Sequence, residues 1–169
     1  MGFFNVLPGS VSADNTTQDA KYILIVDEKP AHTTGGTFAA GAWRTRTLNT
    51  IRNNDDNIAA LNNNRITLPA GTYIIECSAP ALYVKFHQAR LQNITDNVTV
   101  VAGTSEMSTN STVTVSNRSC INAVVTIDSP KVFEIQHYCS DSLATDGFGA
   151  SADTGLSEVY TIFQAWKVK

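Results

Sequence analysis

Charged residues are scarce in this chain of 169 residues, because Asp, Glu, Lys and Arg together make up only 16% of it. An average soluble domain has about a quarter. The formal net charge at pH 7 is -3, so the chain has no excess of positive charge to attract a polyanion. The composition therefore argues against nucleic acid and against an anionic membrane surface as partners.

Long hydrophobic runs are also missing from the sequence. No apolar stretch approaches the roughly 18 consecutive residues that a membrane-spanning helix requires, so we predict no membrane insertion. Residues 1–12 contain a short apolar segment without a basic region before it. This segment is a poor match to a secretory signal peptide.

Cysteine is rare, and the three residues are Cys77, Cys120 and Cys139. An odd number of cysteines is weak support for a disulfide framework. All three lie in segments that we expect to be strands, where a free thiol behaves as a small buried hydrophobe. His137 precedes Cys139 by two residues on the same strand face, which fits core packing better than a metal-ligand pair. We predict three free, buried thiols.

Catalytic motifs are not found. The sequence has no GxSxG, no HExxH and no glycine-rich phosphate loop, and the spacings of His32, His87 and His137 are unrelated. The pair Asp55 and Asp56 could bind a cation such as Ca²⁺, although a solvated turn explains it better. We therefore predict that the protein is not an enzyme and has no cofactor and no metal site.

Alternation of apolar and polar residues is the main pattern that the sequence does contain, and it is clearest in Lys131–Ser140 (KVFEIQHYCS). A period of two residues predicts a β-strand. One face carries apolar bulk for a core, and the other carries hydrogen-bonding groups that suit a surface covered by another subunit. The two faces are Phe133, Ile135, His137 and Cys139, and Val132, Glu134, Gln136 and Tyr138.

Similar segments recur along the chain, at 21–27, 37–50, 72–81, 82–94 and 158–169 among others, with turn signals between them. No amphipathic helix of convincing length is present. Short strands at this spacing predict an all-β, two-sheet antiparallel sandwich. The length suits a single domain with one core, which we expect over residues 21–169.

The first 20 residues have a different composition, with a small apolar head followed by a polar tail. We predict an attachment arm over residues 1–20. A frayed terminus is the alternative. The residues expected to dock on a partner are Phe3, Phe4, Val6 and Leu7.

Several segments resemble a known family. LPAGTYIIECSAPAL (Leu68–Leu82), followed by VKFHQARLQNIT, is similar to the middle strands of a C1q/TNF-like jelly-roll domain. NRSCINAVVTIDSPKVFEIQHYCSDS, the GFG at 147–149 and EVYTIFQAWKVK resemble the form of that domain in virion proteins of tailed bacteriophages. The resemblance covers residues 21–169 and is most specific in the strand before the GFG loop and in the C-terminal strand.

This resemblance implies a ten-stranded, two-sheet jelly roll that forms compact homotrimers and has a structural, non-enzymatic role in a virion. The long repetitive shaft of a fibre protein is missing, which favours a short knob on a tail or fibre, or a head decoration. The expected location is the virion surface, after synthesis in the host cytoplasm. The arm would then contact other virion proteins.

The trimer axis is expected to be lined by the exposed faces of the strand at 131–140 and of the C-terminal strand. Val159, Phe163 and Ala165, on the opposite face of the C-terminal strand, would supply the core. The competing assignment exchanges the two faces, because periodicity alone does not distinguish a core from an interface. The candidate interface residues are Gln136, Tyr138, Tyr160, Ile162, Gln164 and Trp166.

Host recognition is the second functional hypothesis. A module that binds a glycan or a protein on the host surface would use the loops at 53–64 and 141–156, since binding residues concentrate on loops held by a rigid scaffold. Phe148, an aromatic residue within the second loop, is the candidate ligand anchor.

Overall fold

A computed structural model describes residues 19–110 and 113–169. In this part of the chain the one helical element is a 3-10 turn at Asp55–Asn57, and no helix has the length and apolar character needed to cross a bilayer. The all-β prediction is confirmed. The predicted arm lies almost wholly outside the described residues, as do its four apolar side chains Phe3, Phe4, Val6 and Leu7.

The remaining elements are strands. They are β1 (Lys21–Lys29), β2 (Arg44–Thr45), β3 (Thr50–Asn54), β4 (Ala60–Asn62), β5 (Arg65–Leu68), β6 (Gly71–Leu82), β7 (Phe86–Asn93), β8 (Val98–Met107), β9 (Thr109–Asn110), β10 (Val113–Thr114), β11 (Ser116–Ile127), β12 (Lys131–Cys139) and β13 (Glu158–Lys167). All pairings between them are antiparallel, and β9 with β10 forms a separate short ribbon.

Two sheets contain the other strands. Sheet 1 has the order β11-β6-β13-β1-β3, so β13 lies at its centre between β6 and β1. Sheet 2 has the order β4-β5-β12-β7-β8, and the short β2 pairs with β12 next to β5. The two strands that the sequence singled out, β12 and β13, are therefore each central but belong to different sheets.

The core lies between the two sheets and follows the alternation of the sequence. Phe133 and Ile135 of β12 meet Phe163 and Ala165 of β13 in one buried cluster, and all four are fully buried. Burying a large apolar side chain contributes about 1.5–3 kcal/mol relative to leaving it exposed. The face assigned to the core on each strand is thus confirmed, although Val159 at the start of β13 is only half-buried.

A second, smaller cluster closes one end of the sandwich. Phe38 packs there with Val84 and Cys139, and it exchanges two backbone hydrogen bonds with Leu143, of 2.9 and 3.0 Å. Gly147 is required at this point, because a Cβ atom would lie 2.6 Å from both the Leu143 carbonyl oxygen and the Phe38 Cβ. The loop after β1 and the loop after β12 are therefore held together as a lid over this end.

Residues 37–50 and the cysteines differ from the sequence assignment. Most of residues 37–50 is an irregular connection, with only Arg44–Thr45 and the start of β3 in strands, because Gly41 turns the chain at a φ of 83°. Cys77 and Cys139 are buried free thiols as predicted, but Cys120 is exposed. It lies on the face of β11 that points away from the core.

Candidate functional site

The outer face of sheet 1 has a row of exposed or half-buried apolar side chains across four neighbouring strands. Val124 is 73% exposed, and the rings of Tyr22 and Trp166 are 5.2 Å apart. Residues directly opposite on adjacent strands have Cβ atoms about 5 Å apart, so this row is a continuous apolar strip. The cross-strand pairs align it in the order Val124, Ile74, Trp166 and Tyr22.

A polar row runs beside this apolar row. It contains Asn122, Glu76 and Gln164, which are opposite one another on β11, β6 and β13. Gln164 Oε1 accepts a hydrogen bond from the Tyr22 hydroxyl at 2.9 Å, which ties the two rows together. A shallow groove of about 260 Å³ lies over the polar row and reaches Ile162. Apolar area next to hydrogen-bonding groups is the composition of a subunit interface.

Tyr160 is two residues before Ile162 in β13, but a β-bulge opposite Val26–Glu28 interrupts the alternation between them, and Tyr160 is only 4% exposed. Its hydroxyl donates to the Thr33 carbonyl at 2.7 Å, and its ring lies against Gly149, where a Cβ atom would be 2.6 Å away. Burial, with nearby carboxylates, raises the pKa of this phenol to about 12. Within one subunit Tyr160 therefore anchors the loops of the end cluster and has little area left for a partner.

Gln136 and Tyr138 are on the outer face of sheet 2. Gln136 Oε1 accepts two hydrogen bonds from Arg90, at 3.0 and 2.7 Å, and Tyr138 is exposed beside Trp43 with ring centroids 5.8 Å apart. The outer faces of a sandwich point in opposite directions. The expectation that the exposed faces of β12 and β13 together line one axis is therefore corrected, because strand order places them on opposite sides of the molecule.

A carboxylate network covers the rest of this face of β12. Glu134 accepts hydrogen bonds from Arg65 at 2.6 Å, Gln136 at 2.9 Å and Thr45 at 3.1 Å. Burial alone would raise the pKa of Glu134, but these hydrogen bonds outweigh it and hold the pKa below its usual value. Glu134 and Gln136 are therefore paired within the subunit.

Phe148, the predicted ligand anchor, is half-buried in the end cluster. Its ring centroid is 4.5 Å from that of Phe38 and 3.8 Å from the guanidinium carbon of Arg46. The structure thus places this side chain in loop packing. In the other predicted ligand loop, the Asp55 carboxylate accepts hydrogen bonds from the backbone N–H of Tyr22 and the Asn53 amide. The described residues contain no group of three or more His, Cys, Asp or Glu side chains placed to hold a metal.

Arg46 is a fully buried cation that the sequence did not reveal. Its guanidinium donates to Thr161 Oγ1 at 2.8 Å, to the Pro80 carbonyl at 3.1 Å and to the Phe148 carbonyl at 3.1 Å. Burial lowers its pKa to about 9, while the buried Asp27 nearby opposes the shift. Arg46 remains charged at pH 7 and fastens the end loops to both sheets.

Two buried histidines extend from this region toward the surface. His87 Nδ1 lies 3.0 Å from His137 Nε2, and His87 Nε2 lies 2.8 Å from Asn117 Oδ1. The Asn117 amide nitrogen donates to Glu106, so its oxygen faces the histidine and accepts. A neutral imidazole has one donor and one acceptor nitrogen. His87 therefore donates to Asn117 through Nε2 and accepts from His137 through Nδ1.

The histidine pair predicts a loss of stability in acid. Burial, with the charge of Arg46, holds the pKa of His137 well below its usual value. The unfolded chain therefore binds a proton near pH 6.5 that the folded chain rejects, and stability falls as the pH drops below about 6.5. We expect His137 to account for about 1–2 kcal/mol of lost unfolding free energy between pH 7 and pH 5. Urea denaturation across this range measures it.

One variant identifies the source of this pH dependence. His137→Gln should flatten the curve below pH 6.5 relative to that of the wild type. An unchanged slope in His137→Gln would contradict the assignment.

Sequence reasoning missed Val124, Ile74 and Tyr22 of the apolar row. The sequence contained part of this information, because a period of two residues places Ile74 and Val124 on the outer face when their neighbours Ile75 and Val125 point into the core. What the sequence did not contain was the strand order that brings β11, β6, β13 and β1 side by side.

No family model and no curated protein matches the sequence. Among solved structures, the globular domain of zebrafish complement 1qA protein is similar with a TM-score of 0.52 and 14% identity, over 89% of this chain and 97% of that chain. Murine APRIL is similar with a TM-score of 0.49 and 8% identity, over 88% and 98%. At these identities the likeness concerns the fold alone. The described chain has the C1q/TNF-like jelly-roll fold that its sequence resembles.

Proposed function

We propose that this protein is a non-enzymatic structural component of a bacteriophage virion, in which three copies form a jelly-roll knob on the particle surface. The observation that carries the assembly is the apolar row on sheet 1. The virion context is supported by the resemblance of the segments after residue 116 to phage virion domains. The knob would act as a head decoration or as a tail or fibre component.

A closed three-fold ring would bury the apolar row of sheet 1. Such a ring joins different patches of neighbouring subunits and closes after three copies, which prevents open-ended growth. Trp166, Ile162 and Gln164 lie on this face, as the sequence predicted for an interface, and Val124 and Ile74 extend it to the edge of the sheet. Gln136 and Tyr138 do not belong to this interface, because they face the other way.

The arm at residues 1–20 completes the proposal. Its apolar head, with Phe3, Phe4, Val6 and Leu7, would dock on another virion protein and hold the knob on the particle. Host attachment, with a glycan or a surface protein as the ligand, is the alternative role of such a knob. Gold-labelled antibody on intact virions tests the location directly, and particles that bind no antibody at any surface would contradict it.

Introducing a charge into the apolar row is expected to separate the subunits. Val124 is 73% exposed in one subunit, so Val124→Glu should leave the monomer folded. In a trimer the carboxylate would be buried without a partner, three times over, which is strongly unfavourable. We expect the wild type to have the mass of a trimer and the variant that of a monomer at micromolar concentration, measured by size exclusion with light scattering.

Leu156 provides a matched control, because it is 72% exposed but lies in the loop before β13. Leu156→Glu adds the same charge at the same exposure and should keep the trimer mass. A wild type that is monomeric at micromolar concentration would refute the assembly, and a trimeric Val124→Glu variant would move the interface elsewhere.

A further inference from the structure

A groove of about 420 Å³ crosses the outer face of sheet 2. Two cross-strand rows form its floor: Tyr138, Gln88 and Ser105 in one, and Phe86 opposite Met107 in the other. This volume is in the range of about 300–1,000 Å³ that is usual for small-molecule sites. The groove lies on the opposite side of the sandwich from the apolar row, so the proposed assembly leaves it open.

These two rows contain exposed aromatic rings and apolar side chains. Phe86 is 58% exposed, Met107 53% and Tyr138 39%. The Tyr138 ring packs against the Trp43 ring. The guanidinium carbon of Arg90 lies over the Trp43 ring, 4.1 Å from its centroid. A rigid, exposed aromatic surface binds a ligand with little loss of conformational entropy.

The aromatic wall is held in place by hydrogen bonds. Arg90 donates two hydrogen bonds to Gln136 Oε1 and a third to Thr99 Oγ1 at 3.0 Å. Gln136 donates through its Nε2 to the buried carboxylate of Glu134 at 2.9 Å. This network of side-chain contacts from Glu134 to Trp43 therefore fixes the Trp43 ring beside Tyr138 before any ligand binds.

Polar groups of the groove suit a ligand rich in hydroxyl groups. Gln88 Nε2 donates to the Gly103 carbonyl at 2.9 Å and to Ser105 Oγ at 3.2 Å, which leaves its Oε1 without a partner in the described part of the chain. The Glu106 side chain points away from this outer face, because Glu106 pairs with the buried His87 and its carboxylate accepts a hydrogen bond from the Asn117 amide. No lysine or arginine is among the described lining residues, so the groove offers an anionic ligand no ion pair.

We propose that this groove binds a neutral oligosaccharide. Sugar rings present apolar C–H faces that pack on aromatic rings and equatorial hydroxyl groups that pair with amide and hydroxyl oxygens, and this groove offers both. Phe86 and Tyr138 are the stacking residues, and Gln88 and Ser105 are the hydrogen-bonding residues. This activity goes beyond the structural role and does not depend on it.

The test titrates the full chain with chitotriose and with maltotriose, and with 3′-sialyllactose as the anionic comparison, by ligand-observed NMR and calorimetry. We expect saturable binding of at least one neutral sugar, with a dissociation constant near 1 mM or tighter. Phe86→Ala and Tyr138→Ala should each weaken binding about tenfold or more. Leu156→Ala, an exposed apolar residue outside the groove, should bind as the wild type does.

Three results would overturn the proposal. They are the absence of binding of both neutral sugars up to about 10 mM, binding that Phe86→Ala and Tyr138→Ala leave unchanged, and a preference for sialyllactose. Light scattering on the same variants separates this site from subunit assembly. If Phe86→Ala lowers the mass of the assembly, the groove is a subunit contact and the sugar site is refuted. If only Val124→Glu lowers the mass, the groove is not a subunit contact and the sugar site remains supported.

Discussion

Replacing Arg46 with methionine is expected to lower the free energy of unfolding by about 3–5 kcal/mol, as for the loss of one partner from a buried charged network. Methionine fills most of the volume but leaves the carbonyls of Pro80 and Phe148 and the Thr161 hydroxyl without their donor. The buried carboxylate of Asp27 also loses a nearby positive charge. Urea denaturation at pH 7 measures the change.

Two further variants separate this effect from a general loss of charge. Arg46→Lys keeps the charge but has no planar fork, so it cannot serve three acceptors in fixed positions and should also be destabilised. Arg52→Met removes an exposed arginine that pairs with Glu28 on the surface, and its denaturation midpoint should stay near that of the wild type. Equal effects of Arg46→Met and Arg52→Met would contradict the role of burial.

Replacing Tyr160 with alanine is expected to destabilise the subunit itself, by about 3–5 kcal/mol. The side chain is buried between β13 and the end loops, so its removal leaves a cavity. It also removes the contacts that hold the loop with Thr33 and the loop with Gly149. Tyr160→Phe removes only the hydroxyl and should lose about 1 kcal/mol. Thermal and urea denaturation check both values.

This expectation differs from the one that the sequence alone supported. An interface tyrosine cut to alanine would dissociate the trimer and leave a folded monomer. Measuring the assembly mass and the free energy of unfolding on one sample of Tyr160→Ala distinguishes loss of subunit stability from dissociation of the trimer. Tyr138→Ala is the control, because Tyr138 is an exposed tyrosine. A folded monomer of Tyr160→Ala with wild-type unfolding free energy would restore the interface role.

The sequence determined which face of β12 and of β13 meets the core. In β12 and β13 the alternation assigned Phe133, Ile135, Phe163 and Ala165 to one side, and the structure buries all four. The all-β class followed from the same pattern, because a period of two over ten residues is incompatible with a helix. These features are local, since each depends only on residues a few positions apart.

Only the tertiary structure decided what covers the outer faces. Tyr160, Ile162 and Trp166 have the same period and similar apolar character, yet Tyr160 is buried by a loop whose Thr33 is 127 residues away, while Trp166 stays partly exposed. Strand order likewise put β12 and β13 in different sheets, which divided the predicted interface between two opposite surfaces.

Arg46 shows the same limit most clearly. It lies in a segment with weak alternation, and nothing in the sequence distinguishes it from a surface arginine. In the structure it is fully buried and donates hydrogen bonds to Pro80, Phe148 and Thr161. Those acceptors are 34, 102 and 115 residues away along the chain. A local pattern specifies which side chains share a face, but the partner of a face is set by contacts between distant segments, which exist only in the folded chain.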